Sequence, residues 1–121
     1  MDKSGGDKQR AAAMASALDA LWAKFLPEIR QRVNVLETSA AEFKAIGLTT
    51  EQREEANSAA HKLAGTLGTF GLTRGTVLAR ELEVMYSDDT GPDAEMGAKL
   101  AELTAELKGI VEGRKTSETA S

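Results

Sequence analysis

The residue best suited to chemistry is His61, the only histidine among the 121 residues of the chain. At about 100° per residue, it lies roughly 140° from the centre of an apolar helical stripe, and therefore on the outer face of that helix. The stripe consists of Ala56, Ala60, Leu63, Leu67 and Phe70. A neutral imidazole nitrogen is a competent nucleophile near pH 7. Residue type and position together predict an exposed nucleophile on a rigid helix.

Two glycines, Gly65 and Gly68, follow His61 on the same outer face. A glycine inside a helix costs about 1 kcal/mol relative to alanine, so helix stability does not explain their presence. We interpret both as steric access, because they leave space beside the ring for a large partner. The helical wheel also places Ala64 on this outer face.

Asn57 and Ser58 lie one turn before His61, where they can hydrogen-bond the ring or a group attached to it. Ser58 also occupies the position that a glutamate holds in the Glu-x-x-His motif of di-iron bundles. The chain has no second histidine and no cysteine, so we predict no metal site. A hydrolase triad is disfavoured as well, because no nucleophile-elbow motif precedes a helix.

The run His61-Lys62-Leu63-Ala64-Gly65, with Gly71 ten positions after the histidine, resembles the histidine phosphotransfer (HPt) domain. The usual signature of that family is His-x-Leu-Lys-Gly with a later glycine. The histidine, the leucine and both glycines match. The lysine does not, because Ala64 takes its place while Lys62 directly follows the histidine.

The resemblance implies that His61 is a phosphoacceptor whose distal nitrogen attacks the aspartyl phosphate of a receiver domain. It implies response-regulator receiver domains, a hybrid histidine kinase, or both as partners, with Mg²⁺ on the receiver and no cofactor on this chain. Lys62 is the candidate for supporting the charge of the phosphate, and Gly71 for ending the helix. No nucleotide-binding motif occurs, so we expect a phosphocarrier rather than an autokinase.

The composition favours one soluble all-α domain. Aromatic residues make up 4% of the chain, and the net charge is −4 with both signs interspersed, which argues against nucleic-acid binding. No apolar run approaches the ~20 residues of a transmembrane helix. The absence of cysteine is compatible with a reducing compartment, so we expect a cytoplasmic monomer.

Apolar residues at helical spacing predict five helices, over about 8–26, 28–45, 50–70, 74–87 and 92–113. Pro27 separates the first two, and Gly47 is placed to end the second as a left-handed cap. We predict an antiparallel up-and-down four-helix bundle with an additional N-terminal helix. This domain spans residues 8–113, between a flexible N-terminus at 1–7 and a flexible tail at 114–121.

Two alternatives to a phosphate carrier stay open on the sequence. The chain could be a non-catalytic bundle that docks receivers without turning over phosphate, for which the alanine at position 64 is the only support. It could also be a purely structural helical bundle, in which the glycines serve no partner.

Overall fold

A computed structural model describes residues 3–87 and 92–114, with side chains from residue 8 onward. Over these residues the chain forms four α-helices and a short 3-10 turn, and it contains no strand. The helices are α1 (Lys3–Ala45), α2 (Thr50–Thr69), α3 (Thr73–Ser87) and α4 (Gly97–Gly113), and the turn is Ala94–Met96. The all-α prediction is confirmed.

The helices pack as an up-and-down bundle in which each contacts the next and α4 returns to contact α1. Two ion pairs show that α1 and α4 run in opposite directions. Arg30 pairs with Glu112 at 2.8 Å, whereas Glu37, further along α1, pairs with Lys108, earlier in α4, at 3.3 Å. Such exposed ion pairs contribute little to the free energy of unfolding, so the stability of the bundle depends mainly on its apolar core.

The core is built mostly of leucine and alanine from all four helices. Burying one leucine side chain stabilises the fold by about 2 kcal/mol. The fully buried leucines are Leu36, Leu63, Leu67, Leu78, Leu82, Leu100 and Leu107.

The predicted break at Pro27 is wrong, because Pro27 lies inside the continuous helix α1. Proline lacks an N–H and clashes with the preceding turn, which costs about 3 kcal/mol in a helix interior. Trp22 and Ile29, on either side of it, are both buried in the same core. A continuous helix keeps both in place, while the proline itself lies on the exposed face.

The additional N-terminal helix is therefore not a separate element but the first half of α1, which begins at Lys3 rather than near residue 8. Residues 8–17 are all exposed, including Met14 with 67% of its surface accessible. The bundle end is closed instead by Arg114, whose guanidinium lies 5.0 Å from the ring centre of Trp22 and 3.2 Å from Asp19. Phe70 meets the same tryptophan edge-on at 5.1 Å.

The ends of α2 follow the sequence signals closely. Thr49 and Gln52, which have the sequence spacing of a capping box, form one, with each side chain accepting from the backbone N–H of the other. At the other end, Gly71 has a φ of 70° and donates to the carbonyl of Gly68, while Leu72 donates to that of Leu67. This Schellman arrangement needs the left-handed conformation that glycine adopts without strain.

Some predictions fall outside the described residues. The connection between the helices predicted over 74–87 and 92–113 consists of residues 88–91, and the predicted tail includes 115–121; the structure describes neither segment. Residues 1 and 2 are outside it as well. The flexible ends and the domain bounds at 8 and 113 stay predictions. In the described part, no helix is long and apolar enough to cross a membrane.

Tyr86, the only tyrosine of the chain, places a polar group in the core without a hydrogen bond to another described residue. Its side chain is fully buried, and its hydroxyl has no hydrogen-bond partner among the described residues. Burial raises the pKa of this hydroxyl to about 12. A buried hydroxyl without a partner opposes folding, because it loses its hydrogen bonds to water.

We expect Tyr86→Phe to raise the free energy of unfolding at pH 7 by about 1 kcal/mol. Wild-type stability should also fall between pH 10 and 12, by about 1.4 kcal/mol per pH unit, because the tyrosine of the unfolded chain ionises first. The variant should lack this part of the alkaline loss. Urea denaturation at pH 7 and along an alkaline pH series measures both effects. A variant less stable than the wild type at pH 7 would contradict the absence of a hydroxyl partner.

Candidate functional site

The site lies on the outer face of α2, where His61 projects into solvent with 69% of its side chain exposed. The buried positions Ala60 and Leu63 flank it in sequence and hold the helix against the core. The ring is thus carried on a well-packed helix while most of its surface remains accessible. This is the placement that the apolar stripe of α2 predicts.

The ring of His61 is held by Glu83 of α3, which sequence reasoning missed. The distance from Nδ1 of His61 to a carboxylate oxygen of Glu83 is 2.7 Å. A carboxylate only accepts hydrogen bonds, so Nδ1 is the donor and carries the proton. In a neutral ring the lone pair is then on Nε2, the distal nitrogen. The bond therefore presents a nucleophilic nitrogen to solvent.

Two further side chains of α2 fix α3 in register with the site. Asn57 donates to the backbone carbonyl of Glu83 at 2.7 Å, and Arg53 donates to that of Tyr86 at 2.7 Å. The Tyr86 carbonyl is one of the last four of α3, which have no partner within the helix. Asn57, predicted as a polar neighbour of the ring, thus supports the residue that holds the ring.

The two glycines of α2 differ in their surroundings. A Cβ built at Gly65 would meet nothing within 4 Å, so the surface beside the ring is open there. A Cβ at Gly68 would lie 3.7 Å from the hydroxyl of Thr76 on α3, at ordinary contact distance. Gly65 is therefore the clearer case of space left for a partner.

The helical wheel predicts Ala64 on the outer face, and this prediction is wrong. In the structure Ala64 is buried, with 2% exposure. The wheel places residue 64 about 60° from His61, toward one side of the helix. That side is covered in the bundle, because α3 packs closely along it. The position where the family signature has a lysine is therefore a core position in this chain.

Lys62 and Ser58 lie on the opposite side of His61 from Glu83. Both border a polar groove of about 310 Å³ between α1 and α2. Across this groove Arg32 pairs with Glu28 of its own helix at 2.8 Å. Lys62 is exposed and has no ion-pair partner among the residues that the structure describes.

No local sequence signal identifies Glu83, because it lies 22 residues from His61 and meets it only through helix packing. The helical spacing of α3 gives a partial signal. It places residue 83 beside the buried Leu82 and Tyr86, at the edge of the apolar stripe that faces the core. Elsewhere in the described residues, no group of three or more histidine, cysteine or acidic side chains could hold a metal ion.

We expect Glu83→Ala to release the ring of His61, so that the proton of the neutral imidazole redistributes between Nδ1 and Nε2. Two-dimensional ¹H–¹⁵N spectra of the ring should show the Nδ1–H tautomer dominating in the wild type and losing that dominance in the variant. Glu81 is an exposed glutamate on the same helix, so Glu81→Ala is the matched control and should leave the ring spectrum unchanged. Identical ring spectra for Glu83→Ala and the wild type would contradict the assigned bond.

Comparison with known proteins identifies the family of this chain. A family model described as the Hpt domain matches residues 20–113. Protein RcaC of Microchaete diplosiphon is 38% identical over 66 residues, which cover 54% of this chain but only 10% of that protein. No solved structure gives a significant match. Since the family model covers most of the chain, including the whole of α2, α3 and α4, the chain belongs to the Hpt domain family, whose members carry phosphoryl groups in phosphorelays.

Proposed function

We propose that the chain accepts a phosphoryl group on Nε2 of His61 from the aspartyl phosphate of a receiver domain and passes it to the aspartate of another receiver. The observation that carries this proposal is the ring of His61, which is mostly exposed and is held at Nδ1 by Glu83, so that Nε2 is the nitrogen with the free lone pair. A second supporting feature is the open surface at Gly65, which lets a large partner reach the ring.

In the forward step, the Nε2 lone pair attacks the phosphorus atom in line with the acyl oxygen. The P–N bond forms as the P–O bond breaks, and the aspartate leaves as a carboxylate. The ring gains positive charge in this step because Nδ1 keeps its proton. Glu83 stabilises that charge through its hydrogen bond, since hydrogen bonds between charged partners are stronger than neutral ones.

The same contact favours the return step. A phosphorylated imidazole that keeps its Nδ1 proton is a better leaving group than one that has lost it, because its electrons return to a neutral ring. Glu83 holds that proton in place during transfer to the second aspartate. One carboxylate therefore supports both directions of a reversible relay.

The partner contributes the remaining chemistry. Phosphoryl transfer depends chiefly on alignment and on cations near the equatorial oxygens. We assign the main cation, Mg²⁺, to the receiver domain, which is either a response regulator or part of a hybrid histidine kinase. Lys62 is the cation of this chain that lies next to His61 in sequence and is free to approach the phosphate.

The experiment is incubation of the protein with phosphorylated receiver domains and Mg²⁺, followed by detection of acid-labile, base-stable phosphate on His61 by mass spectrometry. We expect the wild type to be labelled and His61→Gln to remain unlabelled, with an unchanged helical circular dichroism spectrum. Receivers that bind both proteins equally, without labelling either, would overturn the proposal and favour a docking module.

Substitution at Gly65 tests the open surface. Because Gly65 is helical and a Cβ there meets nothing, Gly65→Ala should raise the free energy of unfolding by up to about 1 kcal/mol. Gly65→Leu should also fold but should slow transfer from the receiver by about tenfold or more, because the side chain obstructs docking. Thermal unfolding and rapid-quench kinetics measure the two effects. A leucine variant that is phosphorylated at the wild-type rate would rule out this role of Gly65.

A further inference from the structure

Arg80 of α3 differs from every other arginine of the chain. It is exposed, and it has no hydrogen bond or ion pair within the residues that the structure describes. The remaining arginines all have interaction partners, namely Arg10, Arg30, Arg32, Arg53, Arg74 and Arg114. A guanidinium with five donors and no acceptor partner is well suited to bind an anion.

The contacts between α2 and α3 place Arg80 beside the site. His61 meets Glu83, and seven residues later Gly68 meets Thr76, which is seven residues earlier on α3. Both contacts belong to one antiparallel register, in which residue 80 is level with residue 64. Thr76, Arg80 and Glu83 also share one stripe of α3, at helical spacings of four and three. Arg80 is thus about 4.5 Å of helix rise from the residue that holds the ring.

Residue 64 is where the family signature has its lysine, and in this chain it is a buried alanine. The need for a cation remains, because a phosphoryl group on His61 brings negative charge next to the carboxylate of Glu83. Two cations without ion-pair partners lie on the two sides of α2 in the described structure. Lys62 lies on the α1 side, whereas Arg80 is across from position 64 on the α3 side.

We propose that the guanidinium of Arg80 binds the equatorial oxygens of the phosphoryl group on Nε2 of His61, in place of the lysine that this chain lacks at position 64. This inference rests on the proposed function, since it concerns the phosphorylated state of the same histidine. A guanidinium can donate two parallel hydrogen bonds to a phosphate, which fixes the orientation of the group as well as offsetting its charge. In this proposal, Arg80 on α3 takes the role that the family signature gives to a lysine on the helix of the histidine.

A direct test uses ¹⁵N-labelled protein phosphorylated by phosphoramidate, a small donor that requires no receiver. We expect the Nε–H resonance of Arg80 to shift on phosphorylation, while that of Arg74 stays in place because its donors already bind Glu106 at 2.7 and 3.2 Å. An Arg80 resonance that does not move on phosphorylation would overturn the inference. Because no receiver takes part, failure of the relay itself does not affect this result.

Transfer kinetics provide the second test, from phosphorylated His61 to a receiver with Mg²⁺. We expect Arg80→Gln to slow transfer about tenfold, less than the loss of a buried oxyanion donor, because the site is exposed. Arg80→Lys should recover part of the rate, since it restores the charge but not the paired donors. Arg74→Gln, on the same helix, should match the wild type. An Arg80→Gln rate within twofold of the wild type would also overturn the inference.

Discussion

The site depends on the antiparallel register between α2 and α3. Leucines on both helices provide the attraction between them, but apolar packing alone specifies position along the helix axes only loosely. Asn57 and Arg53 fix the position of α3 along α2, because each donates a hydrogen bond to one particular backbone carbonyl of α3. A slip of one helical turn would break both hydrogen bonds and carry Glu83 about 5.4 Å away from the ring. The chemistry at His61 is therefore a consequence of helix packing as much as of the histidine itself.

The charges around the ring follow from the same register. Glu83 contributes a negative charge at Nδ1, Lys62 lies on the α1 side of His61, and Arg80 lies on α3 level with residue 64 of α2. Most other charged side chains of the bundle are already engaged, as in the pair between Arg74 and Glu106, where the hydrogen bond lowers the pKa of the glutamate. By contrast, Lys62 beside His61 and Arg80 on the facing helix have no ion-pair partner in the described part of the chain.

The sequence predicts the local features of this protein well and the long-range ones poorly. The exposure of His61, the capping box at Thr49 and the helix end at Gly71 depend on residues a few positions apart, so their patterns are readable. Glu83 is found only when two helices are packed together. Pro27 misleads because its local cost is outweighed by core contacts on either side. Ala64 is predicted on the outer face but is buried, because the position of the neighbouring helix decides which residues beside the apolar stripe are covered.

The hydrogen bond at Nδ1 has an entropic consequence. A free histidine side chain on a helix surface turns about two bonds, and ordering such a side chain when two proteins associate costs about 0.5–1.5 kcal/mol. In this chain Glu83 already restricts that rotation before any encounter. The folded domain has therefore already ordered the side chain when a partner arrives. Phosphoryl transfer during a brief encounter is then less limited by the time that the ring needs to reach a reactive rotamer.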